Sequence, residues 1–311
     1  MLAKRIAVAL LAAVAAFAAD APLADLVPPE ARYLAGVDVD RIRTTPLGQS
    51  VLDRLRAEEK DFQRFLTETG FDPRRDLHEI LIASGSANGN HGLVLARGSF
   101  DRDRIAQAGA AHAVSLIDYR GVKVLAGKTG NAGWVAFLNG TIAAAGDKEN
   151  VRAALDRHLA GNRLEPGLAS RIAEAGGRYD VWLMILGSPA ELAARAPDRT
   201  VGAAMHGELM QAVRQATAGL RFGPTVELSG VALTRSEKDA TALVDVIRFL
   251  AGMVQSNRGA QSPATSLLDS LDLRAEAAAV RFSLTIPQAE LDKLLQPRPS
   301  RKPVRQVSLP H

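Results

Sequence analysis

Residues 26–76 read LVPPEARYLAGVDVDRIRTTPLGQSVLDRLRAEEKDFQRFLTETGFDPRRD: a strand, a long helical stretch and a helix-stop turn, in that order. Pro28 and Pro29 exclude helix just before the strand, because proline lacks an N–H and pushes its predecessor out of the α region. From Tyr33 the side chains alternate. Tyr33, Ala35, Val37 and Val39 share one face; Leu34, Gly36, Asp38 and Asp40 share the other. The first face reads as the buried one, so a charge at Val37 is expected to be severely destabilising. Leu34 and Asp38 are expected to tolerate change better unless their own face is covered. Thr44 or Thr45 caps the helix that follows, with Pro46 in its first turn. Leu47, Val51 and Leu55 recur every four residues, and Phe62, Phe65 and Leu66 resume the stripe after the polar break at 58–61. Gly70 ends the helix as a left-handed residue, and Asp72-Pro73 makes the exit turn.

LVPPEARYLAGVDVD, TPLGQSVL and TGFDPRRDLHEILIAS together resemble a group of uncharacterised secreted bacterial proteins. The same residues are distantly similar to a larger bacterial family of unknown function with a TG-x-DP-x-x-D turn before a strand. GDKENVRAALDRHLAGNRLEPGLASRI, further on, matches that family's habit of a capped helix, a short linker and a second helix. The likeness runs from about residue 26 to 190. It implies an α+β extracytoplasmic fold, and it brings no active site to carry over.

Outward from this stretch the chain alternates hairpins and helices. His78–Ser86 with Gly92–Arg97, Val114–Tyr119 with Val122–Ala126, and Trp134–Leu138 with Thr141–Ala145 read as three hairpins, the last about Asn139-Gly140. A short helix near Asp101–Ala110 separates the first two. Asp147 caps a helix carrying Val151, Leu155 and Leu159, and a small helix follows near Leu168–Ala175. The opening then recurs faintly. Arg178-Tyr179 precedes a strand at Val181–Leu186, expected to occupy a place equivalent to Tyr33–Val39, and a charge at Ile185 is expected to be as destabilising as one at Val37. A helix near Ala203–Ala218 follows, then a hairpin about Gly223-Pro224. Ser236 and Asp239 form a capping box before a helix with Leu243, Val246, Ile247, Leu250 and Val254 on one face. A hairpin from Leu273 to Ile286 comes next, and Pro287 starts a last helix. The pattern predicts an α+β fold of two degenerate repeats. Each runs strand-helix-hairpin-helix-hairpin-helix, with antiparallel sheets packed by helices on one face. The divisions are 1–18 signal peptide, 19–165 first unit, 166–296 second unit and 297–311 tail.

The ends have their own chemistry. Lys4 and Arg5 precede the apolar run Ile6–Ala19, and Ala16-Phe17-Ala18 is an A-x-A site, so a secretory signal peptide cleaved after Ala18 is expected. The run is too short to span a bilayer comfortably, and no later run approaches that length. The formal charge of +4 is carried by the leader and by Arg298, Arg301, Lys302 and Arg305 in the proline-rich tail. The body between them is therefore slightly acidic, which argues against a nucleic-acid binder. The tail is expected to be disordered. With no cysteine the chain has no disulfide, thiol chemistry or lipoprotein anchor.

Candidate chemistry is sparse. Asp38 and Asp40 form a carboxylate pair of the kind general acid–base work uses, but without a neighbouring histidine or third acid they read as a solvated strand end. Asp72, Arg74, Arg75 and Asp76 read as a turn held by its own ion pairs. Gly121-x5-Gly127-Lys128-Thr129 has one residue too many for a phosphate-binding loop and lies between strands. Gly48-Gln49-Ser50 lacks the second glycine of a nucleophile elbow, and Gly85-Ser86 sits at a hairpin mouth. The histidines are His78, His91, His112, His158, His206 and His311, and none carries a supporting motif. His78-Glu79 and His206-x-Glu208 approach metal spacing without a third ligand. Trp134 and Trp182 read as core, and Asn139-Gly140-Thr141 matches a glycosylation sequon but reads as a turn. No catalytic, cofactor or metal residue is assigned.

These observations point to a secreted or periplasmic, non-enzymatic binding or scaffold protein of the cell envelope. Its partner would be an envelope protein, polymer or small ligand, with no nucleic acid and no transmembrane segment in the mature chain. Two alternatives stand beside it. One is a hydrolase whose site is assembled from distant residues. The other is a carrier of an apolar ligand between sheet and helices, which a large dry cavity would favour.

Overall fold

The computed structural model describes residues 23–46, 48–49, 60–86, 92–111, 114–127, 133–189, 208–258 and 268–287. The expected leader and basic tail lie outside them, as does the stripe Leu47, Val51, Leu55; so does the expected last helix beyond its first residue, Pro287, which ends a strand instead. A short 3-10 helix (Leu23–Leu26) precedes β1 (Tyr33–Asp38), α1 (Val39–Arg43), α2 (Lys60–Thr69) and α3 (Pro73–Asp76). Then come β2 (Leu77–Ser84), β3 (Gly92–Gly98), α4 (Arg102–Ala111), β4 (Val114–Tyr119) and β5 (Val122–Gly127). β6 (Trp134–Phe137), β7 (Ile142–Gly146), α5 (Lys148–Leu159) and α6 (Pro166–Arg178) follow. The remainder is β8 (Val181–Ile185), α7 (Glu208–Gln211), β9 (Val213–Phe222), β10 (Thr225–Thr234), α8 (Glu237–Arg258), β11 (Asp272–Glu276) and β12 (Ala279–Pro287).

All twelve strands among the described residues belong to one antiparallel sheet, in the order β11-β12-β10-β9-β8-β1-β2-β3-β7-β6-β5-β4. This overturns the expectation of two degenerate strand-helix-hairpin-helix-hairpin-helix repeats. The strands before α5 number seven and those after α6 five, and they meet in the middle, where Tyr33–Val37 of β1 pairs with Val181–Ile185 of β8. The predicted helix at Ala203–Ala218 is also corrected. Among the described residues only Glu208–Gln211 is helical there, and from Val213 the chain is strand. Ala216 and Ala218 favour helix locally, but β9 is hydrogen-bonded to β8 on one side and β10 on the other, and tertiary pairing outweighs propensity.

Nor do the helices share a face. Leu34, Leu81, Leu93, Leu95, Ile142 and Ala144 point to one side, where Val151, Ala154 and Leu155 of α5 and Leu168, Ile172 and Ala175 of α6 cover them. Ala240, Leu243 and Val244 of α8 pack on Val213, Leu273 and Val280 on the opposite side. The registers prove the opposition, since Tyr33, Ile185, Ala216, Ala232 and Val280 are successive cross-strand partners and Leu34 is next to Tyr33. Leu34 is only 1% exposed, whereas Val37 is half-buried, which reverses the expected ranking. In α8 the expected stripe divides: Leu243 is buried, but Val246 and Leu250 are exposed.

β1 ends two residues earlier than the alternation suggests. Asp38 accepts from the backbone N–H of Arg41 and starts α1, so Val39 and Asp40 are helical. Thr44 closes that helix, and Thr45, the other expected cap, opens the next by accepting the Gly48 N–H at 3.1 Å. Gly70 takes φ +69° after α2, as its place in the sequence implies.

Candidate functional site

A cavity of about 650 Å³ lies between the α2–α4 helix pair and the sheet face that α5 and α6 leave uncovered. Its floor is built from two cross-strand rows. Ile80, Ala96, Ala143 and Phe137 are successive partners on β2, β3, β7 and β6. Val94 and, past Ala145, Val135 and Leu125 make the adjacent row. Ile105, Ala108 and Gly109 of α4 form the roof, and Arg64, Glu68 and Thr69 of α2 stand at the rim. The space exists because small residues occupy facing positions: Ala96 and Ala143 below, Ala108 and Gly109 above. Larger aliphatic side chains there would fill it, and a dry apolar void is otherwise costly to keep.

Three aromatic rings close one end. Phe71 stacks on Phe100 with ring centroids 5.4 Å apart, and Phe137 tilts against Phe100 at the same spacing. Each such pair is worth about 0.5–1.5 kcal/mol beyond its buried area. Gly70 and the α3 turn place Phe71, and the exit of β3 places Phe100. That turn is held internally. Asp72 caps α3 and accepts from Arg74, while Asp76 accepts from the Asp72 N–H at 2.8 Å and pairs with Arg75 at 2.6 Å. The Arg74 hydrogen bond holds the Asp72 carboxyl below its usual range, and the Arg75 hydrogen bond does the same for Asp76. On the far side of the aromatic wall lies a second, polar hollow of about 490 Å³. It is lined by Arg75, Asp76, Ser99, Asp101 and Arg104, and shares Thr69, Phe71 and Phe100 with the apolar cavity.

A third depression, about 810 Å³, runs along the other sheet face beside α6. His78 and Asp40 meet at its mouth, Nδ1 to Oδ1 3.0 Å, and Ser170 lines the same groove. No serine hydroxyl hydrogen-bonds His78 among the described residues, and Arg43 pairs with the same carboxylate at 3.2 Å. His78 and Asp40 are both well exposed, so the arrangement is that of a surface hydrogen bond.

The other sequence candidates disperse. Asp38 pairs with Arg41 at 2.6 Å, and Arg41 also reaches buried Asp180 at 3.3 Å and the carbonyls of Gly176, Gly177 and Tyr179 that end α6. Asp38 and Asp40 are thus separate structural groups, not a catalytic pair. Gly121 sits in the β4–β5 turn, away from any helix start, and Lys128 and Thr129 lie outside the described residues. So do Ser50, His91, His112 and His206. Ser86 donates its N–H to Ser84 Oγ, and Asn139 accepts from the Thr141 and Ile142 N–H groups within its turn. Trp182 is buried, and Trp134 is half-buried beneath the Lys148 ammonium. Among the described residues no three His, Cys, Asp or Glu side chains gather closely enough to hold a metal ion. None of the described helices is long and apolar enough to cross a membrane.

No motif marked the apolar cavity, whose walls come from α2, α4 and five strands spread from Arg64 to Ala143. The sequence signal that does exist is a set of alanines and a glycine at core-facing positions. It is visible only once the strand register is known.

No protein-family model matches the chain, and no curated protein does. Among solved structures it is similar to crystal form III of TP0453, with a TM-score of 0.55 at 10% identity over 88% of this chain and 98% of that one. Crystal form IV gives 0.55 at 11% identity over 91% and 99%. At such identity the likeness is one of fold, and it extends over nearly the whole length of both proteins.

Proposed function

We propose that the protein is an extracytoplasmic carrier that binds an apolar small molecule, without chemistry, in the cavity between α2, α4 and the sheet. The observation that supports this is the cavity itself: about 650 Å³, walled by aliphatic and aromatic side chains, with ionic groups confined to its rim. Its size falls within the usual range for small-molecule sites, and a lining of this kind favours apolar ligands. The extracytoplasmic assignment is supported by the basic, then apolar, then A-x-A start of the chain. N-terminal sequencing of native protein is expected to begin at Ala19; an intact Met1 in a cytoplasmic fraction would refute export.

The binding test uses 1-aminoanthracene, whose fluorescence rises in apolar surroundings. Wild-type protein is expected to bind it with micromolar affinity. Ala108→Phe, which projects from α4 into the cavity, is expected to weaken binding at least about tenfold while leaving the circular dichroism unchanged. Equal binding by both proteins, or none by wild type, would reject the cavity as the site.

A further inference from the structure

We infer that the cavity's ligand is a single-chain amphiphile with an anionic head, and that Arg104 is the residue that receives the head. This rests on the reading of the cavity given above and adds the ligand's polar half. The apolar cavity and the polar hollow are not separate features, since they meet at Thr69, Phe71 and Phe100. A molecule lying across that wall has its tail against aliphatic side chains and its head among ionic ones.

The charges in the hollow decide the head. Arg75 and Asp76 are closed on each other by two hydrogen bonds, 2.6 and 2.8 Å. Asp101 is engaged at the start of α4, where it accepts the N–H of Arg104 at 3.1 Å. The Arg104 guanidinium has no carboxylate partner among the described residues. Its Nε and Nη2 donate instead to the carbonyls of Glu68 and Thr67, which end α2. Those two bonds fix the plane of the group and leave Nη1 without an acceptor among the described residues. The left-handed Gly70 makes this possible, because a Cβ there would collide with Nη1. An oriented, exposed guanidinium with a spare donor edge recognises carboxylate or phosphate oxygens.

The test compares dodecanoic acid with dodecan-1-ol by calorimetry at pH 7.5 and low salt. The tails are identical, so any difference reports the head. Wild type is expected to bind the acid about tenfold more tightly than the alcohol, the range of one charge-assisted hydrogen bond. Arg104→Gln is expected to bring the acid to the alcohol's affinity without altering the alcohol's. Arg104→Lys keeps the charge and is expected to retain part of the preference, and Arg75→Gln to retain all of it. Ala108→Phe is expected to weaken both ligands. If wild type binds acid and alcohol equally, or if Arg104→Gln keeps the preference, the head assignment is wrong while the cavity reading survives. If neither ligand binds wild type, both readings fail.

Discussion

Single residues explain why the two sheet faces of β1 behave differently. Gly36 lies opposite Trp182 in the register, and a Cβ at Gly36 would fall inside the indole ring. Gly36→Ala is expected to lower stability by about 1–3 kcal/mol through displacement of that ring. Urea unfolding followed by tryptophan emission would show it; an unchanged midpoint would mean that the ring moves freely. Leu34, beside it, is almost wholly buried under α5 and α6. Leu34→Ala is expected to cost about 2–5 kcal/mol and Val37→Ala clearly less, the reverse of a reading based on which face looks more apolar. That reading failed because alternation reports two faces without saying which is covered. Here the face with a glycine and an aspartate is the covered one, whereas Ile82 and Leu183, which flank Ala35 on the other face, are exposed. Asp38 and Asp40 make the same point. They sit two apart in sequence, yet the strand ends at Asp38 and the helix that it caps turns Asp40 elsewhere.

At the scale of elements, the most legible piece was the stretch from Gly70 to Asp76. Its glycine, its proline and the two aspartates that bracket Arg74-Arg75 favour a particular backbone, and the structure has it. This turn also supports Phe71 and the Ser99 N–H, which donates to the Asp76 carbonyl at 2.7 Å, so it holds one end of the cavity. Both its carboxyls are held below their ordinary value of 3.8 by arginine hydrogen bonds. A carboxyl depressed in the folded state contributes stability that is complete above the unfolded value and disappears as pH falls through the folded one. Cavity binding is therefore expected to be insensitive to this turn from neutral pH down to about 4 and to weaken below it. Asp76→Asn is expected to flatten that acid limb of the melting curve. An acid limb identical to wild type would show that the pair contributes nothing. The hairpins were legible too, because two-residue turns and alternation are local. The helix read at Ala203–Ala218 was not, because its alanines acquire strand geometry only from the neighbours on either side.

Over the whole molecule the sheet is continuous through the β1–β8 seam. One row of cross-strand partners runs through every strand and stays apolar throughout: Leu116, Leu125, Val135, Ala145, Val94, Ile82, Ala35, Leu183, Ala218, Gly230, Phe282 and Leu273. α6 packs on strands from both sides of the seam, and the Arg41–Asp180 pair fastens the end of β1 to the start of β8. Separated fragments 19–165 and 166–296 would each expose a former central strand as a bare edge. Each is expected to be insoluble or aggregated alone, and the two to yield a soluble complex when co-expressed. Two well-folded monomeric fragments in size-exclusion chromatography would show that the seam is dispensable.

The sequence alone determined what depends on neighbours within a few residues: most of the strands, the hairpin turns, the exit turn at Asp72-Pro73, the caps at Asp147 and Ser236, and the lack of any disulfide. The tertiary structure decided how those pieces combine. Whether twelve strands form one sheet or two, which face each helix covers, and where alanines leave a void are questions of pairing between residues as far apart as Val37 and Val181. The free energy that settles them comes from burial and ladder hydrogen bonds that exist only after the chain has closed, and periodicity along the sequence is the same for every way of closing it.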